Sequence, residues 1–232
     1  MAVLSMMFRK ALVFMKWFFI ISIVSVIMFR FIPIPITPTM LYLLGEQAFD
    51  SERSIVLKKD WESLSNISPN MKLAVIAAED QLFYDHYGFD FVAIKKAIRN
   101  NEKGRRLKGG STISQQTAKN AFLLPHRNYL RKGLEVYFTM LIELIWSKDR
   151  IIEVYLNVIE FGNGIYGVEA ASQHYFKKSA SRLTKDEASL LASVLPNPIR
   201  FRVDRPSGYV MRRKNWIKRQ IGRMGLPIEN FK

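Results

Sequence analysis

The residues of this sequence best suited to catalysis are two glutamates. One follows an apolar run, and the other lies near cationic residues. Glu79 and Asp80 end the apolar run Met71–Ala78, so a helix over this run would carry carboxylates at its C-terminal end. The helix dipole disfavours negative charge there and raises the pKa of a carboxyl group, which suits a general base working near neutral pH. Glu135 follows Arg131 by one helical turn, which would hold this second carboxylate among cations.

Both acidic sites also have a structural explanation. An acidic pair at a helix end commonly marks only the point where the helix meets solvent. Glu135 and Arg131 could form a surface ion pair, which would stabilise the fold by well under about 1 kcal/mol. Neither pattern alone therefore identifies a catalytic site.

A helix start with basic residues around it lies between the two glutamates in the sequence. Gly109 and Gly110 predict a flexible turn, and Thr112 with Gln115 fits a capping box that begins a helix. Free backbone N–H groups at such a helix start attract phosphate. The basic residues around it are Arg105, Arg106, Lys108 and Lys119. Solvated helix faces produce the same pattern, so this signal is weak by itself.

Composition limits the partners and the chemistry. The 232 residues carry a net charge of +15, which favours anionic partners such as nucleic acid, phospholipid headgroups or a phosphorylated substrate. The chain has no cysteine, which excludes disulfides, thiolate metal sites and a cysteine nucleophile. The three histidines are scattered without the spacing of metal ligands, so we predict no metal site built by the protein.

An apolar run near the N-terminus predicts one membrane-spanning helix over residues 11–32. The run is long enough to cross a bilayer, and Lys16 and Arg30 lie near its ends, where their stems can reach the headgroups. Its length, and the lack of a small-residue cleavage pattern after it, favour an uncleaved anchor over a signal peptide. Basic residues crowd the N-terminal flank, so we expect residues 1–10 to be cytoplasmic and the rest of the chain to be exported.

The exported part is predicted to be a linker followed by a mainly α-helical domain. Pro33, Pro35 and Pro38 predict an extended connector at the start of the linker, residues 33–56. Residues 57–232 show helical periods and helix caps with little strand alternation, which favours a single helical domain.

Four motifs follow one another through this domain. They are EDQLFYDHYG from Glu79, GGSTISQQ from Gly109, RKGLE from Arg131 and KDRIIEVYLN from Lys148. Read in this order, they closely resemble the motifs of the peptidoglycan glycosyltransferases, the murein polymerases of glycosyltransferase family 51. The resemblance covers roughly Leu57 to Met224 and is highly specific, because four motifs in order are not a chance match.

The resemblance implies a lysozyme-like helical domain with a smaller hydrophobic lobe that dips into the membrane, of which Ala121–Pro125 would be part. It implies that Glu79 is the general base for the 4-hydroxyl of the acceptor sugar, and that Glu135 assists departure of the donor's diphosphate. Lys119 and Arg127 are the expected ligands of that diphosphate. The positions that match substrate-binding residues of the family are Ser111, Gln115, Gln116, Lys119, Arg127, Arg131, Lys132 and Arg212.

The implied reaction is polymerisation of lipid II into a β-1,4-linked glycan, with inversion and release of undecaprenyl diphosphate. A divalent cation, magnesium or manganese, is expected only at the diphosphate, since the sequence offers no protein cage for one. No S-x-x-K motif of a transpeptidase occurs, which predicts polymerisation without cross-linking. The expected partners are lipid II, the growing lipid-linked glycan, membrane lipids and other proteins of cell-wall synthesis and division, with no nucleic acid. The expected location is the inner membrane, with a periplasmic catalytic domain.

Two alternatives remain at the level of sequence. A lysozyme-like hydrolase would use a catalytic glutamate with water in place of the sugar acceptor, but it has no diphosphate for the basic clusters to stabilise. A membrane-tethered binding protein, for nucleic acid or as a noncatalytic scaffold of wall synthesis, fits the charge. The expected exported topology argues against nucleic acid, and the presence of both glutamates argues against a scaffold.

Overall fold

A computed structural model describes residues 2–49, 56–102, 110–126 and 128–224, and within these ranges the chain is mainly α-helical. The helices are α1 (Ala2–Phe29), α2 (Pro38–Phe49), α3 (Pro69–Glu79), α4 (Phe91–Glu102), α5 (Ile113–Phe122), α6 (Tyr129–Ile145), α7 (Lys148–Val158), α8 (Val168–Phe176), α9 (Lys185–Val194) and α10 (Gly208–Arg223). The strands are β1 (Lys58–Lys59), β2 (Glu160–Gly162) and β3 (Ile165–Tyr166), which form one small sheet in the order β1-β3-β2. The predicted fold class is therefore confirmed.

Helix α1 contains the predicted membrane-spanning segment. Ser5–Phe31 is apolar and long enough to cross a bilayer, and 11% of its most apolar stretch is buried inside the protein. Its C-terminal half is nevertheless bonded to α6 and to the residue that follows it. The hydroxyl groups of Ser22 and Tyr137 lie 2.7 Å apart, and the indole N–H of Trp146 donates a 2.7 Å hydrogen bond to the carbonyl oxygen of Val26. The anchor thus packs directly on the domain it carries.

Helix α2 occupies much of the segment that was expected to be an extended linker. Pro33 and Pro35 do lie in extended chain, but Pro38 begins a helix instead of continuing the connector. A proline suits the first turn of a helix because its missing N–H needs no partner there. The hydroxyl of Thr39 donates to the carbonyl oxygen of Leu123 at 2.8 Å, so α2 is tied to the end of α5.

Helix α3 forms the centre of the core. Ser68 caps its N-terminus, Pro69 takes its first position, and the residues from Met71 to Ala77 are all buried, as the sequence predicts. The helix packs against α9 and α10, while α5 packs against α6 and α7. Each large apolar side chain buried in this way stabilises the fold by about 1.5–3 kcal/mol. The end of α3 is therefore held firmly in place.

Apolar side chains are exposed at the end of α5 and along α6. Within the segment predicted to belong to a hydrophobic lobe, Ala121 and Leu123 are buried, whereas Leu124 and Pro125 are exposed. We define the apolar lobe surface as the exposed side chains of Leu124, Tyr129, Leu130, Met140 and Leu144. A patch of this kind on a protein with a membrane anchor suits contact with lipid.

Candidate active site

Glu79 is the last residue of α3, and side chains from two other helices hold its carboxylate. The amide of Gln116, on α5, donates a 3.0 Å hydrogen bond to Oε2. The guanidinium of Arg213, on α10, donates a 2.9 Å hydrogen bond to Oε1. The side chain of Glu79 remains 14% exposed. The carboxylate is therefore fixed in position and still open to a ligand.

Burial raises the pKa of the Glu79 carboxyl group above its ordinary value. The charge of Arg213, the hydrogen bond from Gln116 and the charge of Lys119 act in the opposite direction. The rise agrees with the sequence prediction, although its main cause is loss of solvent rather than the helix dipole. A carboxylate whose pKa is raised is a stronger base, so it can take a proton from a hydroxyl group.

Asp80 connects the end of α3 to the start of α5. Its Oδ1 lies 2.9 Å from Nε2 of His86, and its Oδ2 accepts a 3.0 Å hydrogen bond from the backbone N–H of Ile113. Ile113 is the first residue of α5, so the bond fixes where that helix begins. Because the start of α5 is fixed, Gln116, three residues further along the helix, is placed next to Glu79.

The side chain of Gln115 caps the start of α5. Its Oε1 accepts a 3.0 Å hydrogen bond from the backbone N–H of Thr112, and the residue is 4% exposed. The hydroxyl of Thr112 returns the contact by accepting from the N–H of Gln115. The predicted capping box is confirmed, and it occupies the side chain that the resemblance had assigned to substrate. Gln115 therefore has a structural role, and its expected substrate contact stays a prediction.

Glu135 lies within α6 and is buried, with 3% of the residue exposed. Arg131 donates a 2.9 Å hydrogen bond to its Oε2, and the ammonium group of Lys132 contacts Oε1. The burial rules out the simple surface ion pair that the sequence left open. Glu135 is a buried carboxylate whose two oxygens both face cations.

Lys119, on α5, brings the two glutamates into one site. Burial lowers the pKa of its ammonium group, the charge of Glu135 opposes this effect, and Glu79 opposes it more weakly. The neighbouring charges of Arg131 and Lys132 lower the pKa further. Coulomb interactions of this kind require short distances, so Lys119 lies near both carboxylates. We call Lys119, Arg131 and Lys132, together with Glu135, the cationic cluster.

A cleft of about 210 Å³ opens beside Glu79. Its walls come from the end of α3, the start of α4, the segment that leads into α5 and one side chain of α10. Among the residues in these walls are Asp90, Ala93, Ser111 and Trp216. Ser111 therefore lies next to the candidate base.

Arg127 and Arg212 were also expected at the site. Arg127 lies outside the described residues, so its contact with a diphosphate stays a prediction. Arg212 is exposed on α10, and it is the next residue, Arg213, that contacts Glu79. The expected substrate contact of Arg212 stays a prediction, whereas Arg213 is a site residue that the sequence did not single out.

The helical period of α10 could have identified Arg213. Val210 and Ile217 are buried on one stripe of this helix. Position 213 is three residues after the first and four residues before the second, so it adjoins the buried stripe. Arg212 is rotated away from that stripe toward solvent.

The described residues do not fit a metal ion held by the protein. Within the ranges that the structure describes, no three histidine, aspartate or glutamate side chains come together as ligands. The oxygens of Glu135 face Arg131 and Lys132, whose charges repel a cation. The positive charge that this site offers to an anionic ligand is that of its own side chains.

The fold and the site together define a class of protein. A helical domain carries a membrane anchor, and its site combines a carboxylate of raised pKa with a cluster of cations. Such a site suits an enzyme that deprotonates a hydroxyl group while an anionic leaving group departs. The class is that of a membrane-bound group transferase.

Comparison with known proteins identifies the family. A sequence profile of the transglycosylase family matches residues 48–222. The chain is 54% identical to the biosynthetic peptidoglycan transglycosylase of Haemophilus influenzae, over 90% of this chain and 85% of the relative. It is 53% identical to the protein of the same name from Bdellovibrio bacteriovorus, over 88% of this chain and 81% of the relative. It is 50% identical to that of Pseudomonas syringae pv. syringae, over 94% and 92%.

The chain therefore belongs to the transglycosylase family and is a glycosyltransferase. The family predicted from the four sequence motifs is confirmed.

Proposed function

We propose that this protein polymerises the glycan strands of peptidoglycan from lipid II. The observation that carries the proposal is the Glu79 carboxylate, which Gln116 and Arg213 hold at a cleft within electrostatic range of Lys119 of the cationic cluster. The relatives at 50–54% identity, which bear the name biosynthetic peptidoglycan transglycosylase, support the substrate class. The transfer needs both parts, because a hydroxyl group must lose a proton while a diphosphate accepts negative charge.

Glu79 acts as the general base of the transfer. It takes the proton of the acceptor's 4-hydroxyl as that oxygen attacks the anomeric carbon of the donor. The bond from this carbon to the diphosphate oxygen breaks, and the diphosphate leaves with the electron pair. One displacement converts the α-linked donor into a β-linked product, so the configuration inverts. Arg213 and Gln116 orient the carboxylate for this step.

The cationic cluster stabilises the departing diphosphate. Lys119 and Arg131 present positive charge at a partly buried position, where it interacts more strongly with phosphate than it would in water. Glu135 assists indirectly, because its two oxygens hold Arg131 and Lys132 in place. A divalent cation that takes part in the reaction is bound by the diphosphate of the substrate and not by a cage of side chains.

The apolar surfaces and the basic N-terminal flank support the proposed location of the enzyme. Helix α1 anchors the protein in the cytoplasmic membrane, with the basic N-terminal flank in the cytoplasm and the catalytic domain in the periplasm. The apolar lobe surface faces the lipid and brings the site close to a membrane-bound substrate. Partners among other proteins of wall synthesis and division are part of the same proposal.

The test is polymerisation of purified, labelled lipid II in detergent, with the products separated by chain length. We expect long, lysozyme-sensitive glycan from the wild type. The polymerisation rate of Glu79→Gln should be roughly 10²-fold to 10⁴-fold lower. Glu46→Gln is the matched control, because Glu46 is exposed on α2, away from the site. A folded wild type without polymer would overturn the proposed function. A Glu79→Gln variant near the wild-type rate would remove Glu79 as the base.

A further inference from the structure

Trp216 forms part of the wall of the cleft that contains Glu79. It lies on α10, three residues after the Arg213 that holds the Glu79 carboxylate. The residue is 36% exposed, so about a third of it is open to solvent. The reaction described above gives this side chain no role.

The apolar residues of α10 differ in what surrounds them. Val210, Ile217 and Ile221 are buried in the core. Tyr209 is exposed but does not line the cleft, and its ring packs on Phe201 at 5.1 Å between centroids. A single exposed apolar side chain is ordinary on a protein surface. Trp216 stands apart because its exposed surface adjoins the candidate base.

The indole of Trp216 offers both an apolar face and an unused donor. Within the described ranges, its ring N–H has no hydrogen-bond acceptor and its ring has no aromatic partner. Tryptophan binds best to ligands with an apolar face and a polar edge. A sugar ring is such a ligand, because its axial C–H groups form an apolar face and its hydroxyl groups project from the edge.

The remaining cleft walls suit the edge of a sugar. Asp90 caps the start of α4, where its Oδ1 accepts a 2.8 Å hydrogen bond from the N–H of Ala93. Ser111 is exposed at the cleft on the opposite segment, just before α5. A carboxylate and a hydroxyl can together bind the hydroxyl groups of a ring stacked on the indole.

The direction of the transfer assigns this cleft to the acceptor. In a direct displacement the attacking oxygen and the leaving group lie on opposite sides of the anomeric carbon. The cationic cluster marks the side of the leaving diphosphate, and neither Lys119 nor Glu135 lines the cleft. Glu79 lines the cleft and also lies within electrostatic range of Lys119. A base that acts between acceptor and donor must have such a position.

We propose that Trp216 is a sugar-binding residue that stacks on the reacting ring of the acceptor and holds its 4-hydroxyl against Glu79. This inference rests on the proposed function, and it adds a specificity-determining contact to that reaction. Because the stacked ring is the one that reacts, the contact acts on acceptor binding and on the placement of the attacking oxygen.

The first test compares Trp216→Leu and Trp216→Phe in the lipid II assay. Leucine keeps the apolar bulk and removes the aromatic face, so we expect KM for lipid II to rise about fivefold to tenfold, as for the loss of one aromatic contact. Phenylalanine should restore KM to within about twofold of the wild type. Tyr209→Leu, on the same helix but outside the cleft, should leave KM unchanged. A Trp216→Leu variant with wild-type KM overturns the proposal, as does one that phenylalanine fails to rescue.

The second test does not depend on turnover. The full chain, labelled with fluorinated tryptophan in detergent, gives one fluorine signal for each of its four tryptophans, and Trp216→Phe identifies the relevant one. The probe is the soluble β-1,4-linked disaccharide of N-acetylglucosamine and N-acetylmuramic acid, without lipid or phosphate. We expect the Trp216 signal alone to shift, and to shift equally in Glu79→Gln. A signal that stays fixed up to roughly 10 mM, enough to reveal a millimolar Kd, overturns the proposal.

The two tests separate this inference from the proposed function. A wild type that makes polymer while its Trp216 signal stays fixed leaves the proposed function standing and removes the stacking contact. A wild type that makes no polymer overturns the proposed function, and with it the role of Trp216 as an acceptor contact.

Discussion

The surroundings of Glu79 and Glu135 differ in ways that assign the two carboxylates different work. Glu79 ends a helix, remains partly open to a ligand, and is held by one arginine and one neutral amide. Glu135 lies inside a helix, is buried, and has a cation on each oxygen. A base needs an accessible oxygen and a pKa near the working pH, whereas a residue that positions cations needs neither. Burial and partners therefore support the different roles proposed for these two residues of one type.

The proposed difference in roles would be wrong if the two glutamates were interchangeable, and Glu135→Gln tests this. It is the variant with the largest expected effect after Glu79→Gln. Glutamine cannot hold two cations, and we expect the polymerisation rate to fall roughly 10²-fold through misplacement of Arg131 and Lys132. The acidic limb of the pH–rate profile should persist, because Glu79 still titrates. The profile is measured by initial rates of lipid II consumption. Loss of the acidic limb in this variant would reverse the assigned roles.

Arg213→Gln sharpens the account of the base. Arg213 opposes the rise in the Glu79 pKa, so its removal raises that pKa further. Glu79 must be deprotonated to act, and the rate is lost as the pH falls through its pKa. We therefore expect the acidic limb of kcat/KM to move to higher pH.

Arg219→Gln is the control for this shift, since Arg219 is an exposed arginine on the same helix. An acidic limb that stays in place in Arg213→Gln, or moves to lower pH, would contradict the electrostatic role of Arg213.

Lys119→Arg tests the role of the cationic cluster. Burial lowers the pKa of Lys119, so its charge is lost at a lower pH than that of an ordinary lysine. The rate should then decline as the pH rises through this lowered pKa. Arginine stays protonated in proteins, so the variant should keep its activity to higher pH, at some cost in maximal rate. Wild type and variant are compared by kcat at alkaline pH, and identical alkaline limbs would remove Lys119 from the titrating site.

Gln115→Ala has the smallest expected effect, and it falls on stability. The variant loses one half of the capping box of α5, which should lower the free energy of unfolding by about 1 kcal/mol. The activity per folded molecule should change little, because Gln115 is buried in the cap. Glu187→Ala, in the matching box of α9, is the control for a cap far from the site. Thermal unfolding and the rate assay are run on the same samples. A loss of rate without a loss of stability would mean that Gln115 contacts the substrate.

Local rules explain what the sequence could predict. Thr112 begins a helix as expected, because a cap depends only on the residues within one turn. The four motifs were sufficient for the family. The start of α2 was missed because proline can either extend the chain or begin a helix, and packing against α5 decides between the two at Pro38.

Contacts between distant segments explain what the sequence could not predict. The two groups that hold Glu79 lie 37 and 134 residues away from it, on Gln116 and Arg213. No local pattern reports which face of α10 meets the end of α3. The burial that sets the pKa of Glu79 arises from the same packing, so only the direction of the shift could be anticipated.

The bonds between α1 and the region of α6 would couple the membrane helix to the site. Helix α6 carries Glu135, and through Tyr137 and Trp146 it is bonded to the membrane helix. A membrane helix tilts to match the hydrocarbon thickness around it, and each ångström of mismatch costs only a fraction of a kcal/mol. A tilt of α1 would therefore act on α6, the helix that carries Arg131, Lys132 and Glu135. Under the proposed function, lipids of different chain length would then change the polymerisation rate.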